Sequence, residues 1–341
     1  MYLRCLYTLC ISLFVLQGCG GNSSSSSDNN SIDDLIDTPV TLSFAARSNH
    51  LDINCNDVYT GFGPDAEAFI GIGDLRFFVS NIRAYNASDD LVAVTWDNNE
   101  FQYNHESGSV ALIDFLGAGS NFCDTVAEAT GRTNTVITGI SNGEVISKVT
   151  FDIGVPQALM KAVIAAGPVE DAPSPLNELN WSWAGGYRHF VINFTMMNSS
   201  NSAIINNSSI HIGSTDCGGD FSAGINALTD RDECGYLNTA QVSLEQFNPE
   251  SNIIVFDVAS ALSNIRATDL VSDVWQAHNG DETLCIDERR DGEWCVTGQN
   301  FGLQCHSGLA TEACQSIFPN FGIELTTGES SSQTNSVFDA E

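Results

Sequence analysis

Apolar and polar residues alternate in short runs along most of the chain. The runs fall at Thr41–Ala45, Leu75–Val79, Leu91–Trp96, Val110–Phe115, Val145–Ile153, Phe190–Met196, Ala203–Ile212, Gln241–Phe247 and Ile253–Val258. A period of two is the mark of half-buried strands. Clusters of Gly, Asn, Asp and Ser separate the runs, as at Asn86–Asp90, Ser141–Gly143 and Asn198–Asn201, and supply turns. Two stretches read as helix: Pro156–Ala166, with proline in a first-turn position, and part of 258–275. Many short strands with turns between them predict an all-β fold, an antiparallel β-sandwich or barrel. After residue 265 the chain becomes cysteine-dense, charged and weakly periodic, which predicts a disulfide-rich C-terminal extension too small to hold a core of its own.

The same periodicity sorts side chains by face. In Arg188–Met196, Phe190, Ile192, Phe194 and Met196 share one face, and His189, Val191, Asn193 and Thr195 the other. His211 points away from its neighbours Ile210 and Ile212. Trp181 and Trp183, two residues apart in Asn180-Trp-Ser-Trp-Ala-Gly-Gly-Tyr-Arg-His-Phe190, share a face if the chain there is extended.

The first residues change the picture from fold to location. Arg4 precedes an apolar run to Leu16 that is too short to span a bilayer, and Leu16-Gln17-Gly18-Cys19 resembles a bacterial lipobox. Residues 1–18 are therefore expected to be a lipoprotein signal peptide and Cys19 the lipidated residue. Residues 19–39, with five consecutive serines, form a flexible linker. The expected divisions that follow are a β domain over 40–265, its disulfide-stapled extension over 266–325 and a disordered tail over 326–341. The expected location is the bacterial cell envelope, periplasm or outer membrane, with membrane contact through the N-terminal lipid.

A formal net charge of −31, from 12 Lys+Arg against 43 Asp+Glu, argues against nucleic acid as a partner. Of 11 cysteines, Cys5 and Cys10 lie in the signal and Cys19 carries lipid. The remaining Cys55, Cys123, Cys217, Cys234, Cys285, Cys295, Cys305 and Cys314 are an even set in an exported chain and point to disulfides. Many pairings are open to them; pairing of sequence neighbours is the default. No Cys-x-x-Cys occurs, which disfavours zinc, and no Cys-x-x-Cys-His, so no haem is expected in this chain. Asp287, Asp291 and Gly292 have some spacing of a calcium loop, but Arg289 stands at a ligand position. The hydrolase nucleophile elbow and phosphate-cradling loops are absent from the sequence.

Several segments together resemble one family. Leu179-Asn-Trp-Ser-Trp-Ala-Gly-Gly-Tyr-Arg188 is similar to the Trp-x-Trp signature of the MbnP-like proteins, the metallo-mystery pair four-cysteine family. Residues 76–85, 112–115, 151–156, 210–217 (Ile-His-Ile-Gly-Ser-Thr-Asp-Cys) and 304–318 agree in order. The resemblance implies a β-rich, exported copper-binding protein that is not itself an enzyme. It also implies a partner, a di-haem cytochrome c peroxidase-like protein of the MbnH type, which can oxidise a tryptophan to kynurenine. Opening the indole ring gives an aryl amine and a carbonyl, both Lewis bases, and imidazole suits copper. The candidate metal residues are His211, on a family segment, His189 and His50, with Trp181 and Trp183 as candidates for modification. His306 stands where relatives often show methionine. Relatives often carry an Asn-His pair after Gly-Val-Pro; here that region holds Met160 and Lys161. The alternative reading of the same aromatic corner and acidity is a non-metal adhesion or carbohydrate-binding β-sandwich.

Overall fold

Alternation becomes burial at once in the first strand: Val40, Leu42, Phe44 and Ala46 are buried while the residues between them are not. The computed structural model describes residues 37–63, 68–125, 131–167, 171–181, 186–197, 203–217, 234–264, 288–290, 293–296, 299–300, 304–307, 312–331 and 335–341. In chain order the strands are β1 (Thr38–Ser48), β2 (Leu51–Asp52), β3 (Val58–Phe62), β4 (Ala68–Tyr85), β5 (Leu91–Val92), β6 (Val94–Trp96), β7 (Gln102–His105), β8 (Gly108–Asp114), β9 (Val136–Ser141) and β10 (Lys148–Ile153). They continue as β11 (Asn180–Trp181), β12 (Gly186–Met197), β13 (Ala203–Gly213), β14 (Ala240–Glu245), β15 (Ile254–Asp257), β16 (Glu288–Arg290), β17 (Glu293–Val296), β18 (Gln299–Asn300), β19 (Gln304–His306) and β20 (Phe338–Ala340). Among the described residues three α-helices accompany them: α1 (Gln157–Ala166), α2 (Val258–Ala261) and α3 (Glu312–Ile317). Pro156 stands at the N-cap position of α1 without a side-chain hydrogen bond, and the Asp257 carboxylate caps α2 by accepting from the amides of Ala259 and Ser260.

Two sheets carry the fold. The smaller runs β20-β15-β1-β9-β6, and the larger β14-β10-β4-β12-β13-β19, with β8 and β7 continuing from β4. They pack over a phenylalanine-rich core in which Phe44, Phe77, Phe151, Phe190, Phe256 and Phe338 come from six different strands. This is the expected β-rich architecture. Two parallel pairings, β1 with β15 and β13 with β19, make both sheets mixed. Among the described residues neither sheet closes into a barrel.

The large sheet is covered on both faces. Phe78, Val110, Leu112 and Val191 turn away from the first core and pack against Leu159, Met160 and Val163 of α1. That explains why residues 71–80 of β4 are buried without interruption. Leu176 and Leu179 join the α1 residues on this second face.

The chain's end differs from expectation. Residues 326–341 were expected to be a disordered tail. Instead β20 pairs antiparallel with β15, and the Phe338 ring meets Phe256 at 5.2 Å and Phe77 at 5.4 Å. The polar composition of 326–336 conceals a terminal apolar pair, Val337 and Phe338, that fills an otherwise open sheet edge.

Three sequence-neighbour disulfides are formed: Cys55–Cys123, Cys217–Cys234 and Cys305–Cys314. Of the fourth expected pair, Cys285–Cys295, Cys285 lies outside the described residues and the backbone of Cys295 belongs to β17; Asp287, Asp291 and Gly292 of the calcium-like stretch also lie outside them. Cys305–Cys314 ties β19 to α3, and both sulfurs are buried in the central core. Replacing both cysteines with alanine is expected to cost about 2–3 kcal/mol, from the entropy of the loop they close. Chemical denaturation of the double variant checks this; an unchanged midpoint would show that β19 is held by its strand pairing alone.

Candidate functional site

The covered face of the large sheet is apolar at one end and polar at the other. Strand register builds the polar end. Asp114 of β8 stands opposite Arg76 of β4, Arg76 opposite Val191 of β12, Val191 opposite His211 of β13, and His211 opposite His306 of β19. One row therefore crosses five strands. The next row holds Asp74, Asn193 and Ser209.

Arg76 and Asp74 are 2 % and 0 % exposed, so their charges must be matched inside the protein. The guanidinium grips the Asp74 carboxylate through Nε at 2.8 Å and Nη2 at 2.6 Å. Its Nη1 lies 3.8 Å from Glu178, which also pairs with Arg132. Asp74 accepts in turn from the Asn193 side-chain amide at 3.3 Å. The other end of that amide, Oδ1, faces His211 Nε2 at 3.0 Å.

His211 and His306 are the two imidazoles that this register brings together. Their ring centroids lie 4.7 Å apart, edge to face. The Ser307 hydroxyl fixes β19 against β13, donating to the His211 carbonyl and accepting from the Gly213 amide. Burial, with lesser contributions from His306, Arg188 and Arg76, holds the His211 imidazole well below its ordinary pKa. His211 is thus neutral at physiological pH, which is the form that ligates a metal.

The other expected residues fall elsewhere. His189 points away from the apolar row, as its alternation requires, and is completely buried. Its Nδ1 lies 3.3 Å from the Asn238 carbonyl, and burial lowers its pKa to about 4. It packs so closely on Gly154, which has a φ of +144°, that a Cβ there would meet His189 Nδ1 at 2.8 Å. His50 occupies the exposed turn between β1 and β2, with φ of 67°, on the smaller sheet. It is not part of the polar row.

The backbone of Trp181 pairs with Gly186 at the start of β12. Val191, the residue facing His211, is five residues further along, or roughly 16 Å of strand. The side chain of Trp181, all of Trp183, and Cys19 lie outside the described residues. A Cβ on Gly186 would meet the Ser214 hydroxyl at 2.8 Å and the Cys217 sulfur, which is in a disulfide with Cys234, at 3.5 Å. The same hydroxyl lies 3.5 Å from Met160 Sδ. Among the described residues no group of three or more His, Cys, Asp or Glu gathers as a metal cluster.

Sequence reasoning passed over His306, Asn193, Asp74 and Arg76 as site residues. The first is brought in by a parallel pairing between distant segments, which leaves no periodic trace. The last two did leave one: opposite charges two apart in Asp74-Leu-Arg76-Phe, on one face of an otherwise apolar strand, mark a buried ion pair.

A disulfide-braced, two-sheet β protein with paired imidazoles on a buried polar row is the class these features define. The MbnP family model matches residues 37–278, and the chain belongs to that family. Among solved structures it is similar to MbnP from Methylosinus trichosporium, with a TM-score of 0.60 and 18 % identity, over 89 % of this chain and 98 % of that one. Comparison with curated proteins returns no match.

Proposed function

We propose that the protein is an exported copper-binding protein in which His211 and His306 supply the imidazole donors. The supporting observation is their juxtaposition on adjacent strands, with rings 4.7 Å apart and a hydrogen-bonded amide behind His211. Imidazole is a good copper ligand, and ligating histidines usually give their second ring N–H to such a partner. When bound, copper supplies a soft, redox-active cation for sequestration or delivery, with no substrate turned over by this chain.

In this reading Cys19 carries a lipid that holds the domain at the bacterial envelope. Among the described residues no helix is long and apolar enough to cross a membrane. The partner is a di-haem cytochrome c peroxidase-like protein that oxidises a tryptophan of the hairpin to kynurenine. Two peroxides are reduced to water at the partner by four electrons and four protons drawn from the indole and two waters, and the oxygens of those waters enter at C2 and C3 as the bond between them breaks. Water then removes the formyl carbon as formate.

The test is metal content after dialysis against a weak chelator. Wild type is expected to retain copper, and His211→Ala and His306→Ala each to lose nearly all of it, with His50→Ala unchanged. Equal copper in all four proteins overturns the ligand assignment. No copper in wild type favours the adhesion reading.

A further inference from the structure

The polar row also determines which nitrogen of His211 is available. We propose that Arg76, Asp74 and Asn193 are positioning residues that fix the tautomer of His211, placing its proton on Nε2 and leaving the lone pair on Nδ1. This rests on the metal-centre reading only for its purpose; the tautomer itself is a property of the metal-free protein.

Arg76 cannot lose its proton, and its two-pronged contact keeps Asp74 ionised. An ionised carboxylate only accepts hydrogen bonds. The end of Asn193 facing Asp74 at 3.3 Å must therefore be the NH2 group. That leaves the carbonyl Oδ1 turned to His211, 3.0 Å from Nε2. A carbonyl also only accepts, so Nε2 must carry the hydrogen. A neutral imidazole has one N–H, hence Nδ1 is bare. Each link allows one orientation, so the guanidinium sets the amide two hydrogen bonds away and the tautomer one further on.

Glu178 extends the chain of contacts. It meets Arg76 at 3.8 Å and also pairs with Arg132. Glu178 lies three residues before Trp181, so the segment leading into the hairpin is tied to the charge that orients His211.

The relay makes a loss of tautomer preference testable. Without Asp74, the Asn193 NH2 group loses its acceptor, while Arg76 keeps Glu178 at 3.8 Å. Nothing then fixes the amide, which can present either end to His211, and the imidazole proton goes to either nitrogen accordingly. Nitrogen-15 spectra of the histidine rings in metal-free protein read the tautomer directly, with the His211 signals identified by their loss in His211→Ala. Wild type is expected to show a protonated Nε2 and a bare Nδ1. Asp74→Ala is expected to show both tautomers in exchange. Asn193→Leu, which removes the acceptor while keeping the Asp74–Arg76 pair, serves if Asp74→Ala does not fold; it is expected to show His211 exchanging between both tautomers.

A protonated Nδ1 in wild type overturns the proposal. So does a single, unchanged Nε2–H tautomer in Asn193→Leu or in folded Asp74→Ala. Because copper is absent throughout, failure of the copper reading leaves this result standing. Conversely, the expected tautomers together with no copper in wild type would overturn the copper reading alone.

Discussion

Arg76→Met is expected to destabilise the protein by about 3–5 kcal/mol, among the largest effects of any single substitution here. The guanidinium is 2 % exposed and is the counter-ion of a carboxylate that is 0 % exposed. Removing it strands the Asp74 charge where water cannot reach. Methionine fills most of the volume, so the loss reports charge and hydrogen bonding rather than a cavity. The double variant Asp74→Leu/Arg76→Met removes both charges and is expected to recover most of the loss, because paired desolvation offsets much of what a buried ion pair gains. Asn193 would still lack the acceptor it has now. Denaturant unfolding of wild type, Asp74→Leu, Arg76→Met and the double variant gives the coupling directly. A cost below about 1 kcal/mol for Arg76→Met would mean that the pair is wetter than its burial indicates. If the double variant is nearly as stable as wild type, stability does not explain why the pair is there. Orientation of Asn193 and His211 then does.

The fold was largely legible because a sheet writes its faces into the sequence. Each of the nine expected runs coincides with or overlaps an observed strand. The split of β12 into Phe190, Ile192 and Phe194 on one face and Val191 on the other is the split between the two cores. What periodicity does not encode is partnership. The parallel joins of β15 to β1 and β19 to β13 link segments far apart in the chain. Nor does a two-residue apolar signal survive a polar context, which is why β20 was missed.

The site was legible in part for the same reason. His211 was singled out by its segment and its face, and it does sit on the polar row. His306 owes its place to the β13–β19 register alone. His189 shares its strand and facing with the row, yet ends among Gly154, Thr239 and Asn238 because the register of β12 against β13 shifts between Arg188 and Phe190. A shift of one residue in pairing moves a side chain to new neighbours without any change in its alternation.

Stability should respond to pH through two buried groups of opposite sense. Burial raises the Asp114 carboxyl from 3.8 to about 7, against the opposing pull of Arg76, and its Oδ2 has no hydrogen-bond partner among the described residues. The folded state then holds a proton that the unfolded state releases above pH 3.8. Stability is lost as pH rises toward 7, by about 4 kcal/mol in all, and is level beyond. His189 acts the other way. Its pKa falls from 6.5 to about 4 by burial, so the unfolded state takes up a proton first as pH drops. Stability is lost from pH 6.5 down to about 4, by about 3 kcal/mol. His211, also lowered by burial, adds to the loss in acid. Between about pH 4 and 6.5 the carboxyl and the imidazoles therefore oppose each other, and wild type should show a shallow profile. Asp114→Asn removes one side of that balance. Its stability relative to wild type should rise by about 4 kcal/mol from pH 4 to pH 8, whatever constant cost the unpartnered amide brings. His189→Phe should tilt the profile the opposite way, toward greater stability in acid. Urea titrations across this range read both slopes. Parallel profiles for wild type and Asp114→Asn would show that the carboxyl keeps an ordinary pKa and that water reaches it.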